Sequence, residues 1–271
     1  MIRFLILAGY FELTMYLQLS GKLNQYINLH YSYLAYISMF LSFVLALVQL
    51  IIWVKQMKIH SHLSSFWAKV ASIFLLCIPL FVGLFFPTVT LDSQTVSAKG
   101  YHFPVAAGSS KEIQQDEGTT TQYLKPDTSS YFTKSAYESE MKQAAKKYVD
   151  KKVIQVTTEN YMEVMEVIYD YPDQFAGKTI ELTGFVYNDP NNKDSQFLFR
   201  FGIIHCIADS GVYGLLTTGA PQHFENNTWI HAKGTLSIEY HKQLKQSLPV
   251  LHISDCQTIT KPDNPYVYRV F

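Results

Sequence analysis

Three long apolar segments fill the first third of the chain, and a longer segment of mixed polarity follows them. The apolar segments cover residues 2–19, 33–54 and 66–87, and the last of them carries no charge after Lys69. Each is about as long as a helix that crosses a bilayer of roughly 30 Å. We therefore predict a membrane-anchored α plus β protein, with three transmembrane helices in a lipid bilayer within residues 1–88.

The pattern after the third apolar segment changes twice. Residues 106–130 are rich in polar and turn-forming residues and show no apolar period, which is typical of a loop. Residues 134–151 contain good helix formers with apolar residues on one face. We therefore predict an extracytoplasmic stalk over residues 89–152, with a helix near 134–151.

The remaining residues, 153–271, have the pattern of a compact domain. Four apolar residues at helical spacing predict a helix that ends before Pro172: Tyr161, Val164, Met165 and Ile168. Five short segments with strand-like alternation follow, and two of them carry a glycine in the middle, Gly184 and Gly234. This arrangement predicts a small OB-like five-stranded β-barrel with a preceding helix.

The charged residues give the membrane segments a direction. Residues 1–88 hold five basic residues and one acidic residue, a net charge of +4, whereas residues 89–271 hold 17 basic and 21 acidic residues, a net charge of −4. Lys55 and Lys58 lie between the second and third segments, and Lys22 between the first and second. The positive-inside rule then predicts a multi-pass protein of the cell membrane with a cytoplasmic N-terminus and an extracytoplasmic C-terminal domain. A slightly acidic domain without a basic stripe also argues against a nucleic-acid partner.

Three residues within the predicted spans are candidates for contact with a membrane partner. Glu12 is the one acidic residue inside a span. It either sits near one end of a tilted helix, protonated or reaching the interface, or contacts the membrane helices of another protein. Pro79 and Gly83 predict a kink or a close helix contact in the third span.

The candidate ligands for a metal lie in the second half of the chain: His205, Cys206, Asp209, His252 and Cys256. On a regular strand His205 and Cys206 point to opposite faces, whereas His252 and Cys256 share a face. Cys206 and Cys256 with a nearby histidine would form a zinc site. The two thiols would otherwise form a disulfide or only pack, and the spacing leaves all three alternatives open.

Other chemistry has less support in the sequence. It contains no Ser-His-Asp order, no phosphate-binding loop and no H-E-x-x-H motif. We interpret Glu163 and Glu166 as solvated charges on a helix surface. Phe197, Phe199 and Phe201 could form a stacking face for single-stranded nucleic acid. The three phenylalanines alternate along the strand, and no lysines lie between them. This pattern favours side chains that pack partly in the core and partly against a partner protein.

Several short motifs, in this order and spacing, resemble one bacterial family: GKLNQYI at 21–27, FAGK at 175–178, IELTGFV at 180–186, HCIAD at 205–209 and KPDNPYVY at 261–268. The chain resembles the YcgQ-like permease subunits, which carry the domain of unknown function DUF1980. The resemblance covers nearly the whole chain and implies a polytopic permease as partner. The family commonly has two adjacent cysteines where this chain has His205 and Cys206. That difference excludes a vicinal dithiol here and leaves a metal role open.

These observations lead to three hypotheses of function. The first is a non-enzymatic accessory subunit of a membrane permease, whose extracytoplasmic domain contacts the transporter or a solute. The alternative is an extracytoplasmic, membrane-anchored module that handles zinc. An exported enzyme with an unfamiliar site has the least support of the three.

Overall fold

The computed structural model describes residues 1–57, 63, 65–86, 88–101, 134–190, 196–241 and 246–270, without the side chains of residues 134–137. The chain forms two compact units, Met1–Thr90 and Leu91–Phe271. The predicted loop at 106–130, Lys58 and Pro87 lie outside the described residues.

The first unit consists of three apolar helices, α1 (Ile2–Leu19), α2 (Ser32–Val54) and α3 (Phe66–Phe85). Short 3-10 helices at Lys22–Gln25 and Leu29–Tyr31 lie between α1 and α2. All three helical segments are long and apolar enough to cross a membrane, which confirms the predicted number of apolar helices. Helix α1 packs against both α2 and α3.

The second unit combines helices with a β-sheet. Its helices are α4 (Ser93–Lys99), α5 (Lys134–Val149), α6 (Tyr161–Asp170) and α7 (Pro172–Phe175). Its strands are β1 (Val153–Gln155), β2 (Thr179–Asn188), β3 (Gln196–Ile203), β4 (Gly211–Thr218), β5 (Trp229–His241), β6 (Gln246–Thr258) and β7 (Val267–Tyr268). The apolar face of α6 is fully buried, as its helical period predicts.

The strands form one mixed sheet in the order β1-β2-β5-β6-β4-β3-β7, with a further pairing between β2 and β3. Strands β2, β5, β6, β4 and β3 therefore each pair with two others of the same five. The β4–β6 pairing is parallel and the other four pairings among them are antiparallel. The C-terminal sheet is confirmed, and the OB-like barrel stays a prediction.

Two glycines allow neighbouring strands to approach closely. A Cβ atom on Gly214 would overlap the carbonyl oxygen of Leu198, and one on Gly234 would overlap that of His252. The register between β5 and β6 shifts between Lys233 and Gly234, so the strand pair has a β-bulge at the mid-strand glycine of β5. The bulge decides which face of the sheet several candidate residues occupy.

Residues before the sheet also belong to the second unit. The backbone N–H of Leu91 donates to the Tyr266 hydroxyl at 2.9 Å, and that of Ser93 donates to Oδ1 of Asn227 at 2.8 Å. In α5, one face is buried in the same core: Met141, Ala144, Ala145 and Tyr148. The predicted boundary between a stalk and a domain near residue 152 stays a prediction.

Candidate functional site

Asp209 organises the loop that follows β3. Its Oδ1 accepts from the backbone N–H groups of Ile204 at 3.3 Å and Cys206 at 3.2 Å, and its Oδ2 accepts from that of His205 at 2.9 Å. Nδ1 of His205 also lies 2.8 Å from Oδ2. Both carboxylate oxygens are therefore engaged in holding the loop.

Cys206 begins the short 3-10 helix Ile207–Asp209. Its side chain and the Asp209 side chain each bond to the other residue's backbone N–H, which forms a capping box. The structure thus brings His205, Cys206 and Asp209 together in one loop. The arrangement explains why these residue types are close in sequence without requiring a metal.

His252 lies on the outer face of the sheet, in a patch with three other polar side chains. Its Nε2 is 2.6 Å from Oε1 of Glu239 and 2.8 Å from Oγ of Ser237. Its Nδ1 is 2.8 Å from Oγ1 of Thr218 on β4. The side chains of His252 and Glu239 are each 47% exposed. We name these four residues the His252 patch, because hydrogen bonds fix the orientation of the exposed imidazole.

Cys256 points the other way, so the predicted same-face relation of His252 and Cys256 is wrong. His252 pairs with Thr235, which is exposed, whereas Cys256 pairs with Ala232, which is fully buried. Directly opposed residues of an antiparallel pair share a face. The bulge at Ser254 inserts one residue between the two positions and reverses the alternation. Cys256 packs partly buried against the core.

Cys206 and Cys256 are both free thiols. Among the residues that the structure describes, no group of three or more His, Cys, Asp or Glu side chains could hold a metal ion. Cys256 and His252 are on opposite faces, and Asp209 is committed to backbone donors. The zinc site therefore stays a prediction that depends on the His205–Asp209 loop.

Sequence reasoning missed a buried cation, Arg200, in the middle of β3. The side chain is only 3% exposed. Its guanidinium donates to the carbonyl oxygens of Asn264, Pro265 and Tyr266 at 3.1, 3.2 and 3.0 Å, and to Oγ1 of Thr158 at 3.0 Å. A planar group with several donors suits this set of carbonyls. Arg200 therefore clamps the KPDNPYVY motif to the sheet.

Glu166 corrects a second interpretation. The sequence suggested a solvated charge, but Glu166 is buried on the side of α6 that contacts the segment after β7. Its Oε1 accepts from Nη1 of Arg269 at 3.4 Å. Burial raises the pKa of Glu166 to about 7, against the opposing effect of Arg269. Glu163, in contrast, is partly exposed and accepts from the Tyr148 hydroxyl at 2.6 Å.

The aromatic residues of β3 are core residues. Phe197, Phe199 and Phe201 are all buried, so they present no stacking face to a nucleic acid. Tyr101 packs on this cluster, and its hydroxyl donates to the buried carboxylate of Asp189 at 2.9 Å. Burial raises the pKa of Tyr101 well above its usual range, so the hydroxyl stays a donor.

In the first unit, α1 and α3 interlock through two glycines. A Cβ atom on Gly83 would lie 2.9 Å from the Leu13 side chain, and one on Gly9 would lie 3.1 Å from the Leu80 side chain. Each leucine thus fills the space above a glycine on the opposite helix. Gly83, predicted as a partner contact, has a contact within the chain.

The proline of α3 lies beside this contact. Pro79 has no N–H, so the carbonyl four residues earlier, at Leu75, lacks its helical donor. The Tyr10 hydroxyl of α1 donates to the adjacent carbonyl, that of Leu76, at 2.9 Å. Helix α1 therefore supplies a hydrogen bond where the α3 backbone is interrupted. Glu12, in contrast, is exposed on α1.

The fold and these sites define a membrane-associated protein in which three apolar helices precede a mixed β-sheet unit. The chain belongs to the DUF1980 family: the DUF1980 N-terminal domain matches residues 2–102, and the DUF1980 C-terminal domain matches residues 131–269. The resemblance inferred from the sequence motifs is thereby confirmed.

Two relatives match over their entire lengths. A protein of Streptococcus mutans serotype c, named "Putative two-component membrane permease complex subunit", is 67% identical over 271 residues, which is 100% of both chains. "UPF0703 protein YcgQ" of Bacillus subtilis (strain 168) is 40% identical over 291 residues, again 100% of both chains. The first name describes that relative as a subunit of a membrane permease complex.

Proposed function

We propose that the protein is a non-enzymatic accessory subunit of a membrane permease complex. The observation that carries the proposal is the 67% identity, over the full length of both chains, to the relative named as such a subunit. The three apolar helices support it, because they provide a surface that can assemble with another membrane protein.

In this proposal the sheet unit is an OB-like barrel that lies outside the cytoplasm. The pairings among β2, β5, β6, β4 and β3 support the barrel, since each strand has two partners within the five. The excess of lysines between the second and third apolar segments supports the orientation. The barrel contacts the transporter or a solute, and the exposed His252 patch is its candidate contact surface.

Isolation of the complex tests the proposal. The tagged full-length chain is solubilised from its native membranes in a mild detergent, and co-purifying proteins are identified by mass spectrometry and quantified. We expect one polytopic membrane protein in fixed stoichiometry. A chain that purifies alone from membranes in which it is natively expressed would contradict the proposal.

Zinc handling is a second candidate function that rests on the ligand types of His205, Cys206 and Asp209, which follow one another in a single loop. In this alternative the purified full-length protein holds one equivalent of zinc, which Cys206→Ser removes and the matched Cys77→Ser control retains. Zinc content that is the same in wild type and Cys206→Ser would exclude it.

A further inference from the structure

Glu12 lies on a face of α1 that the rest of the first unit leaves uncovered. The residue is exposed, although α2 and α3 both pack against α1. It lies ten residues after Ile2 in an 18-residue helix, or about 15 Å along the axis, close to the middle of a span. Within the described parts of the chain, Glu12 makes no hydrogen bond or ion pair.

The polar neighbours of Glu12 are used inside the unit. The Tyr10 hydroxyl donates to the Leu76 carbonyl at 2.9 Å, and the Thr14 hydroxyl donates to the Tyr10 carbonyl at 2.8 Å. Lys22, which lies beyond the end of α1, donates to the Tyr16 hydroxyl at 3.3 Å. Tyr10 and Thr14, the polar residues on either side of Glu12, are thus paired within the unit, whereas the Glu12 side chain is exposed.

Four large, exposed residues of α1 form a stripe on the same helical face as Glu12, and the smaller Ala8 and Gly9 between Leu5 and Glu12 are partly exposed. They occur at spacings of three, four and seven residues from it, which places them on one face of a helix. We name this stripe the Glu12 face, and its members are Leu5, Glu12, Met15, Tyr16 and Leu19. It consists of large side chains around one acidic group.

We infer that the Glu12 face is the docking surface for a polytopic membrane protein, which presents a lysine or arginine side chain to Glu12 within the bilayer. This inference rests on the proposed function and names the surface and the partner's chemistry. An acidic group at mid-span is costly in lipid and is relieved by a basic partner. A second copy packed with Glu12 against Glu12 would bring two like carboxyl groups together, which favours a different protein as the occupant.

Charge exchange at Glu12 tests the inference. The full-length chain is co-expressed with the polytopic protein identified by co-purification, and the amount of partner is normalised to the chain level in the membrane. We expect Glu12→Gln, which keeps the size and removes the charge, to lower the bound partner about tenfold. Glu12→Lys abolishes binding, and a reciprocal acidic substitution at the partner's basic residue restores it.

A photo-crosslinking amino acid locates the surface independently. Placed at Leu5 or Tyr16 in the Glu12 face, it is expected to crosslink to the polytopic partner. Placed at Phe40, which is exposed on α2, it serves as the matched control and is expected to give at least tenfold less product. Crosslinks confined to position 40, or a crosslinked dimer of the chain itself, overturn the inference.

The outcomes separate the inference from the proposed function. If wild type binds a polytopic protein and Glu12→Gln binds it equally well, the inference is wrong and the proposed function stands. If wild type binds no polytopic protein, the proposed function fails and the inference fails with it.

Discussion

The guanidinium of Arg269 lies 3.4 Å from the carboxylate of Glu166, and the two side chains are only 11% and 7% exposed. Burial is the largest cause of the raised Glu166 pKa, and the carboxylates of Asp170, Glu140 and Glu163 raise it further. Arg269 acts in the opposite direction. The contact therefore joins α6 to the segment after β7 through a group that titrates near neutral pH.

This contact predicts a pH-dependent stability of the sheet unit. The pKa of Glu166 rises from 4.5 to about 7 on folding, so the folded state binds the proton more tightly. The stabilisation is complete below pH 4.5 and is lost as the pH rises through 7, by roughly 3 kcal/mol in total. Glu166→Gln mimics the protonated form and should remove this dependence.

Urea unfolding of the full-length protein in detergent, followed by Trp229 fluorescence with Trp53 and Trp67 replaced by Phe, measures the effect. Glu166→Gln should be more stable than wild type at pH 8 and similar to it at pH 4.5. Glu225→Gln changes an exposed carboxylate of the same unit and is the control. Equal pH dependence in wild type and Glu166→Gln would contradict the prediction.

Arg200 should determine whether residues 264–266 stay on the sheet. Arg200→Met leaves three carbonyls without their charged donor, so we expect the free energy of unfolding to fall by at least about 3 kcal/mol. Hydrogen exchange at Val267–Tyr268 should accelerate in parallel. Arg200→Lys keeps the charge but lacks the planar fork and should be intermediate. If hydrogen exchange at Val267–Tyr268 is as slow in Arg200→Met as in wild type, the clamp is not required.

The contact between Gly83 and Leu13 predicts how the packing of α1 against α3 responds to a larger side chain at residue 83. Gly83→Leu places a side chain where Leu13 lies, so the helices should separate. Oxidative crosslinking between Gly9→Cys and Leu80→Cys, with the native cysteines changed to serine, reports their proximity in membranes. The yield should fall with Gly83→Leu and recover when Leu13→Gly is added. Phe85→Leu, at an exposed position, is the control and should leave the yield unchanged.

Asp209 should be required for the conformation of its loop. Asp209→Ala removes the acceptor of three successive N–H groups, so the amides of Ile204, His205 and Cys206 should exchange at least tenfold faster. The exposed Asp263→Ala is the matched control. Unchanged protection in Asp209→Ala would mean that the loop is held by other contacts.

The apolar helices and the sheet could be predicted because their signals are local and long. Runs of about 20 apolar residues have few alternative interpretations, and the helical period of Tyr161, Val164 and Ile168 is strong. The face occupied by Cys256 could not be predicted. It depends on a bulge that adds one residue to β6, and alternation alone assumes that no residue is inserted.

The burial of Glu166 and Arg200 could not be predicted from the sequence, for a related reason. Glu166 and Arg200 occur among apolar neighbours, and a charged residue in such a sequence is ordinarily exposed. Their burial depends on residues 264–269, which are distant in sequence and supply the carbonyls and the guanidinium. The signal that could have located them is the polar KPDNPYVY motif, which needs partners for its backbone groups.

The bonds made by Tyr266 and its neighbours also set an order of events during synthesis. The Leu91 N–H, near the start of the second unit, donates to the Tyr266 hydroxyl, and β3 pairs with β7 at Val267. The ribosome therefore produces most of the sheet before these bonds can form. Until residue 269 has been synthesised, Arg200 lacks its carbonyl partners at residues 264–266 and Glu166 lacks Arg269. The two charges therefore reach their native contacts only after β1 to β6 have been made.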